Sequence, residues 1–141
     1  MKMNYIISEV IKELLELRLK LPKKQELPDD NILHQFQVDF GIKLNEEYIY
    51  FLKTASDSLY NCKAALRITK NRDHSQELSR AVQEARSIGM PHDWLPICED
   101  NGNYYCLISD GTIRFWDHNG ANNESWPSLA CWIKEVWIDG N

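Results

Sequence analysis

No stretch of this sequence approaches the roughly twenty consecutive apolar residues that a membrane-spanning helix needs. The opening segment, Met1-Lys2-Met3-Asn4-Tyr5-Ile6-Ile7, is briefly apolar but soon meets Glu9, Lys12 and Glu13. It lacks both the continuous apolar region and the small-residue cleavage site of a secretory signal. The expectation is a cytoplasmic protein with no membrane partner. Cysteine is sparse as well. Cys62, Cys98, Cys106 and Cys131 are widely spread and none belongs to a Cys-x-x-Cys pair. Without a secretory signal that spacing argues against a disulfide framework, and it does not fit the common structural zinc sites. Their neighbours, as in Tyr105-Cys106-Leu107 and Ala130-Cys131-Trp132, are apolar or aromatic, so all four are predicted to be reduced core residues. The six glycines are isolated turn residues. Their isolation excludes the phosphate-cradling and dinucleotide loops, and no Gly-x-Ser-x-Gly elbow is present.

Basic residues are scarce in one region. Met1–Pro91 carries 14 basic and 13 acidic residues, net +1, whereas His92–Asn141 carries 2 and 8, net −6. Nucleic acid is therefore not an expected partner of the last third, because phosphates are bound by Lys and Arg. The same acidity suits a basic protein partner, whose arrival it would accelerate by steering. A merely soluble surface is the competing reading, since net charge speaks to solubility as readily as to partners.

What is present describes one globular domain. At 141 residues the chain sits near the modal domain size. Its 43% hydrophobic content is enough for a core without staples. Ser8–Leu21 carries a helical stripe of Val10, Ile11, Leu14, Leu15, Leu17, Leu19 and Leu21, ended by Pro22, with Lys20, Lys23 and Lys24 suiting the negative end of its dipole. This stripe reads as core, with a dimer or partner surface as the alternative. Asp29 or Asp30 caps a second helix reaching about Phe40, ended by Gly41. Asn45 caps a third, with Glu46 and Glu47 in its positive first turn. Ser58–Thr69 fits one or two short strands with a turn near Asn61. Asn71–Gly89 returns to helical spacing, and Pro91 forbids continuation. Then come strands near Trp94–Cys98, Tyr104–Ile108 and Thr112–Trp116, joined by turns at Asn101-Gly102 and Asp110-Gly111. Residues 117–123 read as a loop, and Pro127-Ser128 opens a closing helix. Tight turns make consecutive strands antiparallel, so the predicted class is α+β: a small, mostly antiparallel sheet flanked by helices, in a single domain over residues 1–141.

Catalytic and metal-binding constellations are thin. His92, Asp93, Asp117 and His118 offer nitrogen and oxygen ligands, but there is no His-x-x-x-His and no cysteine pair, so ordinary loop residues explain them better. His34 and His74 fall on predicted helices without a second ligand four residues on. Glu99 and Asp100 form a carboxylate pair beside Asn101-Gly102, where a calcium loop would need further oxygens at fixed spacing; a polar turn is the simpler reading. A hydrolase using Asp117 and His118 has no visible oriented nucleophile. No catalytic residue, metal or cofactor is expected. The aromatics are more informative. Trp94, Trp116, Trp126, Trp132 and Trp137, with Tyr104, Tyr105 and Phe115, all lie in the last third. Alternating strands send about half to each face. One set builds core; the other either packs beneath helices or stands exposed among acids, as at a protein interface.

The order of motifs resembles the SUKH superfamily. Leu27-Pro28-Asp29-Asp30 with Leu33 and Phe36, then Gly41-Ile42-Lys43-Leu44-Asn45-Glu46-Glu47-Tyr48-Ile49-Tyr50-Phe51-Leu52, is similar to its N-terminal signature. The block Leu95-Pro96-Ile97, Asp100-Asn101-Gly102-Asn103-Tyr104-Tyr105-Cys106-Leu107 and Gly111-Thr112-Ile113-Arg114-Phe115-Trp116-Asp117-His118 is similar to its later one, with a closing helix from Ser128-Leu129. The resemblance covers about residues 27–137, leaving residues 1–26 as an N-terminal helical segment. Asn45 stands where the family often has proline, and Ser56-Asp57-Ser58 lacks the glycine often found there. The resemblance implies helices around a strongly curved sheet. It also implies kinship with fungal cell-wall-synthesis regulator domains and with bacterial immunity proteins that neutralise polymorphic toxins, often nucleases or deaminases. Joined to the charge asymmetry, it leads to the expectation of a non-enzymatic binding protein, a monomer or weak homodimer, facing a cognate toxin. The partner-binding candidates are Glu99, Asp100, Asp110, Asp117 and Glu124, with Trp116 and Trp126 as anchors. The alternative is a small-molecule or peptide sensor whose sheet forms a pocket.

Overall fold

The computed structural model describes residues 4–21, 26–117 and 120–140. Its first helix, α1 (Ile7–Leu17), buries Val10, Ile11 and Leu14, while Leu15 and Leu17 stay exposed. The predicted stripe is thus core on one side only, and the helix stops four residues short of Leu21. At Arg18 the backbone turns extended (ψ 155°). Its guanidinium donates to Asp57 Oδ1 at 2.7 Å and to Ser58 Oγ at 3.3 Å, and Leu19 N–H donates to the Leu59 carbonyl. The chain past Arg18 is held by these long-range bonds, so helical spacing alone overstates the helix. Pro22, Lys23 and Lys24 lie outside the described residues.

The next two helices follow local rules. In α2 (Asp30–Phe40), Asp29 accepts from Ile32 N–H, and Gly41 closes the end at φ +63°. In α3 (Glu46–Thr54), Asn45 accepts from Tyr48 N–H. Such caps satisfy backbone donors that have no intrahelical partner. A two-stranded hairpin follows, β1 (Leu59–Tyr60) and β2 (Lys63–Ala64). Its turn residues Asn61 and Cys62 both have positive φ, 50° and 59°. That geometry points Cys62 outward, and it is exposed. The expectation of a fourth core cysteine is corrected accordingly; Cys98, Cys106 and Cys131 are buried.

The predicted helix from Asn71 begins only at Leu78, as α4 (Leu78–Ser87). Residues 71–77 are held as a loop by Glu77. Its buried carboxylate accepts from Thr69 N–H and from the Thr69 hydroxyl, and Leu78 N–H donates to the Arg67 carbonyl. His74 therefore sits in a loop, where its Nδ1 accepts from Gln76 N–H.

Four antiparallel strands make the main sheet in sequential order: β3 (Leu95–Asp100), β4 (Asn103–Leu107), β5 (Ile113–Asp117) and β6 (Gly120–Trp126). The β3–β4 turn has Asn101 and Gly102 at φ 52° and 84°, the conformation that Asn-Gly tolerates. The β4–β5 connection is a three-residue loop, Ser109-Asp110-Gly111, with Gly111 at φ 90°. Strand β6 replaces most of the loop predicted over 117–123. Its sequence, Gly-Ala-Asn-Asn-Glu-Ser-Trp, has no apolar alternation, and it pairs at the sheet edge where polar residues are tolerated.

The chain closes with α5 (Leu129–Trp132), capped by Ser128 Oγ, which accepts from Cys131 N–H. It runs directly into a π-helical segment, Ile133–Ile138. Residues five apart lie about 140° apart around an α-helix, but a π turn brings them one above the other. Trp132 and Trp137 accordingly meet, with ring centroids 5.9 Å apart. Trp137 touches Phe51 at 6.0 Å and Trp132 touches Tyr105 at 5.1 Å. An aromatic chain thus runs from α3 through the closing helix to the sheet. The fold is α+β, and no helix among the described residues is long and apolar enough to cross a membrane.

Candidate functional site

Strand alternation assigns the faces of the sheet. Tyr105 meets Trp132, so its face lies beneath α5. Tyr104 and Cys106 point the other way, where Cys106 Sγ lies 3.9 Å from Met90 Sδ, just past α4. On the Tyr105 face, Tyr105 pairs with Phe115 on β5 and with Cys98 on β3. Trp126 at the end of β6 completes the group. Tyr105 lies 5.0 Å from Phe115 and 5.6 Å from Trp126, inclined at 60° and 63°. All three rings are half-buried. The Tyr105 hydroxyl is pushed up to about 12, first by burial, then by the negative charges of Asp100, Cys98 and Glu124. This places the Asp100 and Glu124 carboxylates electrostatically beside the Tyr105 ring.

The predicted site residues divide on this frame. Register puts Asp100 opposite Asn103 and Asp117 opposite Gly120, so Glu99, Asp100 and Asp117 share one end of the sheet. Glu99 and Glu124 are exposed, and Asp100 and Asp117 are partly so. Asp110 is at the opposite end. There its Oδ1 accepts from Thr112 N–H at 3.0 Å and from Thr112 Oγ1 at 2.6 Å, which holds its carboxyl below the usual range. It closes the β4–β5 turn and does not join the other acids. Trp116 needs correction as an exposed anchor: it is 5% exposed and belongs to the core, because it shares the inward row of Tyr104 rather than that of Phe115. Trp126 stays at the surface of the aromatic group. Tyr105 itself was not singled out by the sequence, because two adjacent tyrosines on a strand give no sign of which one faces a helix.

The scattered ligand set does not assemble. His92 and Asp93 precede the first residue of β3, and Asp117 ends β5 at the far end of the sheet. His118 lies outside the described residues. Among the described residues, no group of three His, Cys, Asp or Glu side chains could hold a metal. A cleft lies elsewhere, an open space of about 590 Å³ between the α2–α3 connection and the β4–β5 turn. Ile42, Leu107 and Ile108 line its apolar part, and Lys43, His92 and Asp93 its polar rim.

One carboxylate links the helices. Glu47 in α3 accepts from the backbone N–H groups of Leu129 and Ala130 at the start of α5, yet burial raises its pKa above the ordinary 4.5. A carboxylate with a raised folded-state pKa contributes stability below its unfolded value and loses it as pH rises through the folded value. Glu47→Gln is therefore expected to gain stability relative to the parent over the interval that starts at pH 4.5 and runs upward through the raised folded-state value. Urea midpoints across that interval check this; a variant whose deficit widens with rising pH would overturn the assignment.

The profile of the SUKH_5 family, described as SMI1-KNR4 cell-wall, matches residues 7–138, taking in α1 as well as the region from Leu27 onward. A solved structure, described as the crystal structure of a protein from Pseudomonas syringae pv. tomato, is similar over 94% of this chain and 99% of its own. It shares 31% sequence identity, with a TM-score of 0.86. No curated protein matches the chain.

Proposed function

This chain belongs to the SUKH superfamily, in its SMI1-KNR4 cell-wall branch, and from that premise we propose that it is a non-enzymatic protein-binding domain, an immunity protein that neutralises a cognate toxin in the bacterial cytoplasm. The observation that carries the reading is the sheet end where Asp100 and Asp117 gather on the face of the half-buried aromatics around Tyr105, with Glu99 at the same end on the Tyr104 face. Aromatic anchors inside a polar rim are what a protein interface needs. A nuclease offers a cationic cleft for its phosphate substrate, and an acidic surface complements it.

The test is a pull-down of the tagged chain against the product of the adjacent gene, with growth rescue in cells expressing that product. Tight binding with rescue, and inhibition complete at one equivalent, is the expected result. Inactivation at well below one equivalent would instead mean catalysis by this chain, and absence of binding and rescue would sink the toxin reading for that neighbour. A second reading rests on the cleft of about 590 Å³, which lies in the size range of small-molecule sites. It makes the domain a small-molecule or peptide sensor, and a ligand retained through purification and seen by native mass spectrometry would favour it.

A further inference from the structure

We propose that the Tyr105 face of the sheet is a receptor for one arginine side chain of a protein partner, held between the rings of Tyr105, Phe115 and Trp126 and the carboxylates of Asp100 and Glu124. This rests on the protein-partner reading above and names the chemistry of its contact. Rings that only filled a core would be covered, and these three are half-buried. Phe115 and Trp126 are both inclined to Tyr105, at 60° and 63°, so neither is stacked flat on its ring. An aromatic face carries negative potential and attracts a cation lying over it. A planar guanidinium stacks on such a face while its N–H groups reach carboxylates at the side. The protein already uses that contact twice: Arg114 lies 5.3 Å from the Trp94 ring centre and Arg72 lies 5.6 Å from that of Phe40.

Charge selects the occupant. Burial, and then the charges of Asp100 and Glu124, oppose ionisation of the Tyr105 hydroxyl. The two basic residues of the last third are directed elsewhere. Arg114 lies on Trp94, and Lys134 is held by Glu13 at 3.1 Å and Asp139 at 3.2 Å. Behind Tyr105, the Trp132 ring fixes its position at 5.1 Å, and Trp132 is itself fully buried. The receptor is therefore rigid at its base and open at Trp126.

The experiment titrates the isotopically labelled, full-length protein with N-acetyl-arginine N-methylamide. The neutral isostere N-acetyl-citrulline N-methylamide is the control, and the Trp126 indole resonance is the readout. The expected result is a saturable shift at Trp126 with the arginine probe and none with citrulline. Asp100→Asn should weaken binding about two- to fivefold, and Trp126→Leu about three- to thirtyfold. Asp100→Asn keeps the size and shape of a partly exposed side chain, so it separates the charge effect from any folding defect of Trp126→Leu. No saturable shift, or an equal shift with citrulline, overturns the receptor. Should the probe bind while the neighbouring gene product does not, the receptor stands and the toxin reading falls. Should the neighbour bind the parent and both variants equally, the partner contact proposed here falls and the binding function stands.

Discussion

Trp137→Ala is expected to destabilise the protein by about 3–5 kcal/mol, a large share of the roughly 5–15 kcal/mol that a domain has in total. Trp137 is fully buried, and its ring lies at the centre of the aromatic chain, edge-on to Phe51 at 6.0 Å and tilted against Trp132 at 5.9 Å. Its Nε1 donates to the Tyr60 carbonyl at 2.9 Å, and its own carbonyl accepts from Asn61 Nδ2 at 2.9 Å. Alanine removes the ring and opens a cavity between α1, α3 and the sheet side of the closing helix. It also strips the Tyr60 carbonyl of its donor. Trp137→Phe retains most of the ring contact and loses only the indole hydrogen bond and some volume, so it should cost about 1–3 kcal/mol. Urea midpoints of the three proteins measure the difference. Equal costs for both substitutions would mean that the hydrogen bond to β1 dominates, and a cost near zero for alanine would remove the aromatic chain as the organising feature of the core.

The same residue shows where the sequence was readable and where it was not. Caps and turns were legible because their chemistry is local. Asp29, Gly41, Asn45, Ser128 and the Asn101-Gly102 pair each do what their own side chains and φ preferences dictate. The packing of Trp132 against Trp137 was not legible, since a spacing of five puts two residues on different faces of an ordinary helix. Only the π-helical backbone reconciles them. Strand β6 was hidden because an edge strand takes its hydrogen bonds from β5 and needs no apolar alternation of its own. The extended run after Arg18 and the loop over 71–77 were hidden for a related reason. A salt bridge to Asp57, distant in the chain, and a buried Glu77 that ties the loop back to Thr69 override the helical pattern. Legibility of the site followed the same division. That acids and aromatics crowd the last third is a matter of composition; that Trp116 turns inward and Asp110 serves its own turn, while Tyr105 becomes the hub, depends on strand register.

Reversing the two carboxylates beside Tyr105, Asp100→Lys with Glu124→Lys, is expected to weaken partner binding by about a hundredfold or more, roughly 3 kcal/mol, and to abolish growth rescue. Like charges brought together at an interface cost several kcal/mol, and an ammonium beside Tyr105 would also occupy the position proposed for the partner's guanidinium. Part of the loss should appear in the association rate, because steering depends on the field of the acidic end. That field is screened beyond about 8 Å at physiological ionic strength, so the parent's association rate should fall with salt more steeply than the variant's. A charge-matched control isolates location from net charge. Glu16→Lys with Asp73→Lys changes two exposed acids on α1 and in the loop before α4, and shifts the total by the same amount. Stopped-flow association and dissociation rates for the parent and both double variants decide the matter, with far-ultraviolet circular dichroism and thermal midpoints confirming that each variant is folded. Binding lost only with the Asp100 and Glu124 pair ties function to the Tyr105 face. Equal losses in both variants would reduce the acidic third to a general attraction, and retention by both would move the partner surface away from the sheet and toward the cleft rimmed by Lys43, His92 and Asp93.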